Sequence, residues 1–155
     1  MFEQQVKDVC ETYQDAPVRH AQGDHTMSCD EMTGIQALER KHPSKPMRPG
    51  ELEKREFEYI RHGTLTLIAN FDVATGQVPV PSLGPTRTEV DFAAHIAQTI
   101  ATDPAAKWTF VVDQLNTHQS ESLVRLVVEC CGLDADLGVK EQRGILKSMA
   151  HAPRF

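Results

Sequence analysis

The sequence predicts an α/β fold, an open sheet flanked by helices within one domain, and three observations predict it. Lys107 to Gln119, reading KWTFVVDQLNTHQ, contains a β-branched and aromatic run of strand length, Trp108 to Val112, which stops at Asp113. A second strand-like run in His25 to Glu31, HTMSCDE, ends near Asp30. Around and between these runs lie segments whose apolar residues recur at helical spacing. A carboxylate at a strand-to-helix corner is held rigidly and faces the crevice where open α/β sheets place their ligands. Asp30 and Asp113, two acids on two strand ends, are therefore the candidate metal ligands.

The 155 residues suit one domain with a real core. A content of 40% hydrophobic and 25% charged residues excludes a disordered or fibrous chain. No apolar run approaches the roughly 20 residues of a membrane span and no signal-peptide pattern opens the chain, so the expected location is the cytosol, with no membrane partner. The four cysteines contain no CxxC pair and read as small buried hydrophobes. A formal charge of −6 argues against gripping nucleic acid by bulk electrostatics, so contact with DNA would be local.

Taken in order, Phe2 to Tyr13 carries a helical stripe at Phe2, Val6, Val9, Cys10 and Tyr13. Asp15, Ala16 and Pro17 are expected to end it, and Val18 to Asp24 to connect it to a first strand over Thr26 to Glu31, with a continuation through Gly34 to Ile35 and Ala37 left open. Alternation puts Asp30 and Glu31 on opposite faces, so only one of them is expected to share a site with Asp113. Glu31 then reads as a surface ion-pair partner.

Between Glu39 and Arg61, Arg40, Lys41, Lys45, Arg48 and Arg61 cluster in a chain that is otherwise acidic. Pro43, Pro46 and Pro49 forbid regular structure there and predict a long basic loop. It is either a solvated surface loop or a phosphate-contacting arm.

Gly63 to Val73 reads as a strand, joined through Ala74, Thr75 and Gly76 to a hairpin partner at Gln77 to Val80. Pro79, Pro81 and Pro85 close that sheet edge. Thr88 and Asp91 form a capping box ahead of a helix with Phe92, Ala93, Ile96, Ala97 and Ile100 on its buried stripe; Asp103 and Pro104 stop it. Glu121 to Cys131 is a helix ended by Gly132, apolar around more than half its circumference and so expected to be buried. Val139 to Ala150 patterns as a weak helix.

Four stretches carry a resemblance. They are CDEMTGIQALER at Cys29 to Arg40, EFEYIRHGTLTLIANFDVATGQV at Glu56 to Val78, TEVDF at Thr88 to Phe92, and VVDQLNTHQ at Val111 to Gln119. Together they resemble the DDE-superfamily transposases of bacterial insertion sequences related to Tc1 and mariner elements, and the element order resembles the front of a ribonuclease H-like fold. The resemblance implies that residues 1–155 form one ribonuclease H-like catalytic domain with a mixed sheet. It also implies that Asp30 and Asp113 are two members of a triad of metal-binding catalytic carboxylates, with Asn116 and His118 orienting groups beside them. Mg²⁺, with Mn²⁺ as substitute, is the implied cofactor and DNA at transposon ends the implied partner. Two carboxylates about 5 Å apart would repel by roughly 3 kcal/mol at an effective dielectric near 20, a penalty that a hard divalent cation removes.

Gln114 stands where the family commonly has asparagine. The family's third acid lies in a motif resembling SWLNxxE, after a fifth strand, and no such motif occurs in this sequence. Glu121, Glu129, Asp134, Asp136 and Glu141 are downstream acids without matching context. The chain is thus expected to be truncated before the fifth strand and last helix, and to lack the family's helix-turn-helix module. An edge left open beside Trp108 to Asp113 could pair with another copy, giving an oligomerisation or binding module as the alternative.

Overall fold

The computed structural model describes residues 2–134 and 137. Its elements run α1 (Phe2–Ala21), β1 (His25–Arg40), β2 (Tyr59–Asp72), β3 (Ser82–Gly84), α2 (Glu89–Ile100), β4 (Trp108–Val111), a single 3₁₀ turn at Asn116–Gln119, and α3 (Glu121–Cys131). The four strands form one mixed sheet in the order β3-β2-β1-β4. β1 pairs antiparallel with β2 and parallel with β4, and β2 pairs antiparallel with β3. This is a ribonuclease H-like α/β arrangement, as the element order predicts.

Alternation along β1 divides the molecule into layers. On one face Ser28 Oγ is 2.9 Å from the Tyr13 hydroxyl of α1. On the other face Cys29 joins Ile68, Phe92 and Ile96 in the core, with Ile100, Phe110, Val112, Leu123 and Leu126 packed around them. The helix α1 thus covers one side of the sheet, while α2 and α3 cover the other.

Several local expectations need correction. Pro17 does not end α1; the helix runs on to Ala21 with Pro17 inside it. The missing N–H is tolerated because tertiary contacts hold both flanks: Ala16 is fully buried, and Arg19 donates to Thr109 Oγ1 of β4 at 2.9 Å. Gln77 to Val80 is not a strand. Asp72 Oδ1 caps the turn by accepting from Ala74 N and Thr75 N, and Gly76 supplies a φ of 73°. Pairing with β2 resumes only at Ser82–Gly84, in the gap between Pro81 and Pro85, where backbone N–H groups are again free to donate. The helix α3 has the predicted bounds and a left-handed cap at Gly132 (φ 59°), yet none of its residues is buried. It lies on α2 with one face and shows the rest to solvent. Of the cysteines only Cys29 is buried; Cys10, Cys130 and Cys131 are exposed. Val139 to Ala150 lies outside the described residues.

The basic segment is more ordered than a loop. β1 and β2 continue to pair out to Arg40↔Tyr59, past register shifts between Met32 and Ile35 and between Gln36 and Leu38. Among the described residues β4 pairs only with His25 to Ser28, and β3 only with Thr66 to Ile68, so the distal halves of β1 and β2 form a two-stranded arm. At its tip, isolated bridges join Lys45 to Lys54 and Arg48 to Glu51. Pro43, Pro46 and Pro49 interrupt the ladder but do not abolish it.

Candidate active site within β1 and past the end of β4

The parallel register of β1 and β4 aligns His25 with Trp108 and Ser28 with Val111. Carried two residues further, that register sets Asp30 level with Asp113, but only Asp113 stands at a strand end, just past β4; Asp30 lies within β1, which does not stop there as expected because its pairing with β2 carries it on to Arg40. Both aspartates are exposed. Asp30 Oδ1 accepts from the Glu31 N–H at 2.8 Å, and Asp113 Oδ1 accepts from the Leu115 N–H at 2.9 Å. Each carboxylate is thus fixed on one oxygen by nearby backbone.

Glu31 is not at the surface. Its side chain is only 1% exposed, with Oε2 3.2 Å from Arg87 Nη1 and Oε1 3.3 Å from His118 Nε2. The residue alternates away from Asp30, as expected, but onto the face that carries Cys29 and the core. There a carboxylate must be paired, and Arg87 and His118 pair it. His118 is equally buried, tilted against Phe92 with ring centroids 4.1 Å apart. Its Nδ1 lies 2.8 Å from Asp113 Oδ1 and 3.2 Å from the Asp113 carbonyl oxygen. Glu31 therefore does reach the Asp113 corner, through an imidazole. The signal for this was present in the sequence: an acid two residues after Cys29 on one strand face has to find a cation or a proton donor.

The electrostatics register the crowding of acids. The Cys29 thiol is pushed up to about 12, first by burial and then by the charges of Glu31, Asp30 and Asp113. A site with that much negative charge and exposed carboxylate oxygens on neighbouring strands suits a hard divalent cation. The other predicted residues are more peripheral. Asn116 is exposed at the start of the 3₁₀ turn. Arg40, Lys41, Lys45, Arg48 and Arg61 are on the arm, where Arg40 donates to Ser44 Oγ and Lys41 pairs with Glu58. Among the downstream acids, Glu121 is paired with Arg125 at 2.7 Å, Glu129 and Asp134 are exposed, and Asp136 and Glu141 lie outside the described residues.

A family model described as DDE superfamily endonuclease matches residues 25–136, well over half of the chain. The chain belongs to this family. The matched span of this DDE superfamily endonuclease opens at the first residue of β1 and runs past the end of α3, so it takes in the sheet, both Asp30 and Asp113, and the helices α2 and α3. Neither a search of curated proteins nor a search of solved structures found a match. Family membership carries a nuclease or transposase type of function, a DNA substrate and use of a divalent metal. Among the described residues, no helix is long and apolar enough to cross a membrane.

Proposed function

We propose that this chain is a transposase catalytic domain whose chemistry is metal-dependent cleavage and strand transfer of DNA at transposon ends, with Asp30 and Asp113 as catalytic metal ligands and Mg²⁺ as the ion. The observation that carries the reading is the register that brings these two aspartates level on adjacent parallel strands, inside a matched endonuclease family. When bound, the ion polarises a phosphoryl oxygen and lowers the pKa of an attacking water or 3′-hydroxyl. Asp30 and Asp113 each offer one further carboxylate oxygen beyond the one fixed by backbone. His118 orients Asp113 from the buried side, and Glu31 with Arg87 holds His118 in turn. The arm supplies Arg40, Lys41, Lys45, Arg48 and Arg61 for phosphate contact. Between residues 39 and 62 it carries seven Lys and Arg against five Glu, in a chain of net charge −6.

The test is a melting curve with and without Mg²⁺ or Mn²⁺, followed by nicking of supercoiled DNA. Both ions should raise the Tm of the wild type and leave Asp30→Asn and Asp113→Asn unmoved, and any nicking should disappear in either variant. Metal stabilisation that survives both substitutions would remove the assignment.

A second reading rests on β4, which is an edge strand of the sheet among the described residues. Its free side is a template for pairing with another copy, giving a non-catalytic oligomerisation or DNA-binding module. Concentration-dependent dimerisation with no metal response would favour it.

A further inference from the structure

About 16 Å back along β1 from Asp30, at the start of the strand, three potential metal ligands converge. His20 lies in the last turn of α1, His25 opens β1, and Asp72 closes β2; one ligand atom from each lies within 4.8 Å of the others. The site is built on three elements that the fold holds together. His25 is fixed by its backbone N–H, which donates to the Lys107 carbonyl at 2.8 Å, and by stacking on Trp108 at 4.2 Å between centroids.

His25 Nε2 is 3.3 Å from Asp103 Oδ2. A carboxylate can only accept, so the proton of the neutral ring goes to Nε2 and Nδ1 is left as a bare lone pair. That Nδ1 is buried and has no hydrogen-bond partner. A carboxylate fixing one ring nitrogen while the other is unpaired, with an acid and a second imidazole close to the ring, is the arrangement that surrounds histidine metal ligands. Asp72 is buried, and its Oδ1 caps the following turn, which leaves Oδ2 for a ligand.

We infer that His20, His25 and Asp72 form a second metal site, distinct from the aspartate pair, that takes a borderline divalent transition-metal ion of the Zn²⁺ class. Two imidazoles and one carboxylate suit Zn²⁺, where an all-oxygen set would suit Mg²⁺. Bonds of about 2.0–2.1 Å to a tetrahedral ion bring ligand atoms to roughly 3.3 Å of one another, so the site must close by about an ångström or more. His20 can supply most of that movement, because it is exposed at a helix end. The ion would tie the end of α1 to the ends of β1 and β2, a structural role independent of the DNA chemistry.

The test is a Zn²⁺ titration of the full chain without a histidine tag, followed by calorimetry and by emission of the single tryptophan, Trp108, which stacks on His25. The expected result is saturable one-to-one binding with a change in Trp108 emission, absent with Mg²⁺ at the same concentration. His20→Ala should weaken binding by at least about tenfold, while Asp30→Asn with Asp113→Asn should bind Zn²⁺ as the wild type does. His25→Gln should abolish the emission change; if that variant does not fold, the exposed His20 decides alone. No saturable binding, undiminished binding in His20→Ala, or binding lost only in the aspartate double variant would each overturn the inference.

Discussion

Glu31 Oε1 and His118 Nε2 meet at 3.3 Å with both side chains only 1% exposed, one from β1 and the other from the turn after β4. The opposite ring nitrogen contacts Asp113 at 2.8 Å. Both partners are acceptors, so the ring satisfies the two together only when both nitrogens carry a proton. The pair links the Asp30–Glu31 stretch of β1 to the Asp113 corner through the protein interior.

Glu31→Ala should destabilise the fold by about 1–3 kcal/mol, because it strands a ring nitrogen of buried His118. Glu31→Gln keeps an acceptor and should cost less. Urea denaturation of the two variants measures the difference. Equal stability of wild type and Glu31→Ala would show that the buried pair is not holding the corner.

Asn70 is fully buried; its Nδ2 donates to Thr99 Oγ1 at 2.7 Å, and Thr99 Oγ1 donates to the His95 carbonyl at 3.0 Å. This is a polar tie between β2 and α2 in the middle of the core. Thr99→Val preserves shape but leaves the Asn70 amide without its acceptor, and should cost about 1–3 kcal/mol in the same urea experiment.

His95 is buried on α2, with Nδ1 2.8 Å from Ser82 Oγ. Burial holds its pKa below the ordinary 6.5, and the nearby charge of Glu31 opposes that only in part. The unfolded chain therefore takes up this proton first as pH falls. The stabilising contribution is complete above about pH 6.5 and is lost progressively as pH drops toward the depressed folded value. Between pH 7.5 and 5.5 the wild type should lose more stability than His95→Gln, read as the difference between their urea midpoints at each pH. Parallel profiles would refute it.

The Cys29 thiol, buried and pushed up to about 12, is almost wholly protonated at neutral pH, and the thiolate is the reactive form. Cys10, Cys130 and Cys131 are exposed. A disulfide-exchange reagent should therefore modify three thiols in the native protein and the fourth only after denaturation. Prompt reaction of all four would show that the core around Cys29 opens readily.

What could be read from the sequence was whatever depends on neighbours along the chain. The order of elements, the Thr88 and Asp91 capping box, the bounds of α3 and the halt of two apolar runs at Asp30 and Asp113 follow from periodicity and caps, which are local. The capping box is present with both of its bonds. Pro17 inside α1, the displaced β3 and the long β1–β2 arm were not legible, because packing against distant residues overrode the local signals of proline and turn.

The candidate sites divide along the same line. That Asp113 follows the end of a strand is written in the residues; that β1 runs on past Asp30 to Arg40, and that β1 and β4 lie side by side, parallel and in register, are properties of the sheet. The burial of Glu31 between Arg87 and His118, and the meeting of His20, His25 and Asp72, join residues up to 87 positions apart. A single sequence holds no term for such pairs, since the free energy that unites them comes from burying the faces of β1 and α2 and exists only once those faces have met.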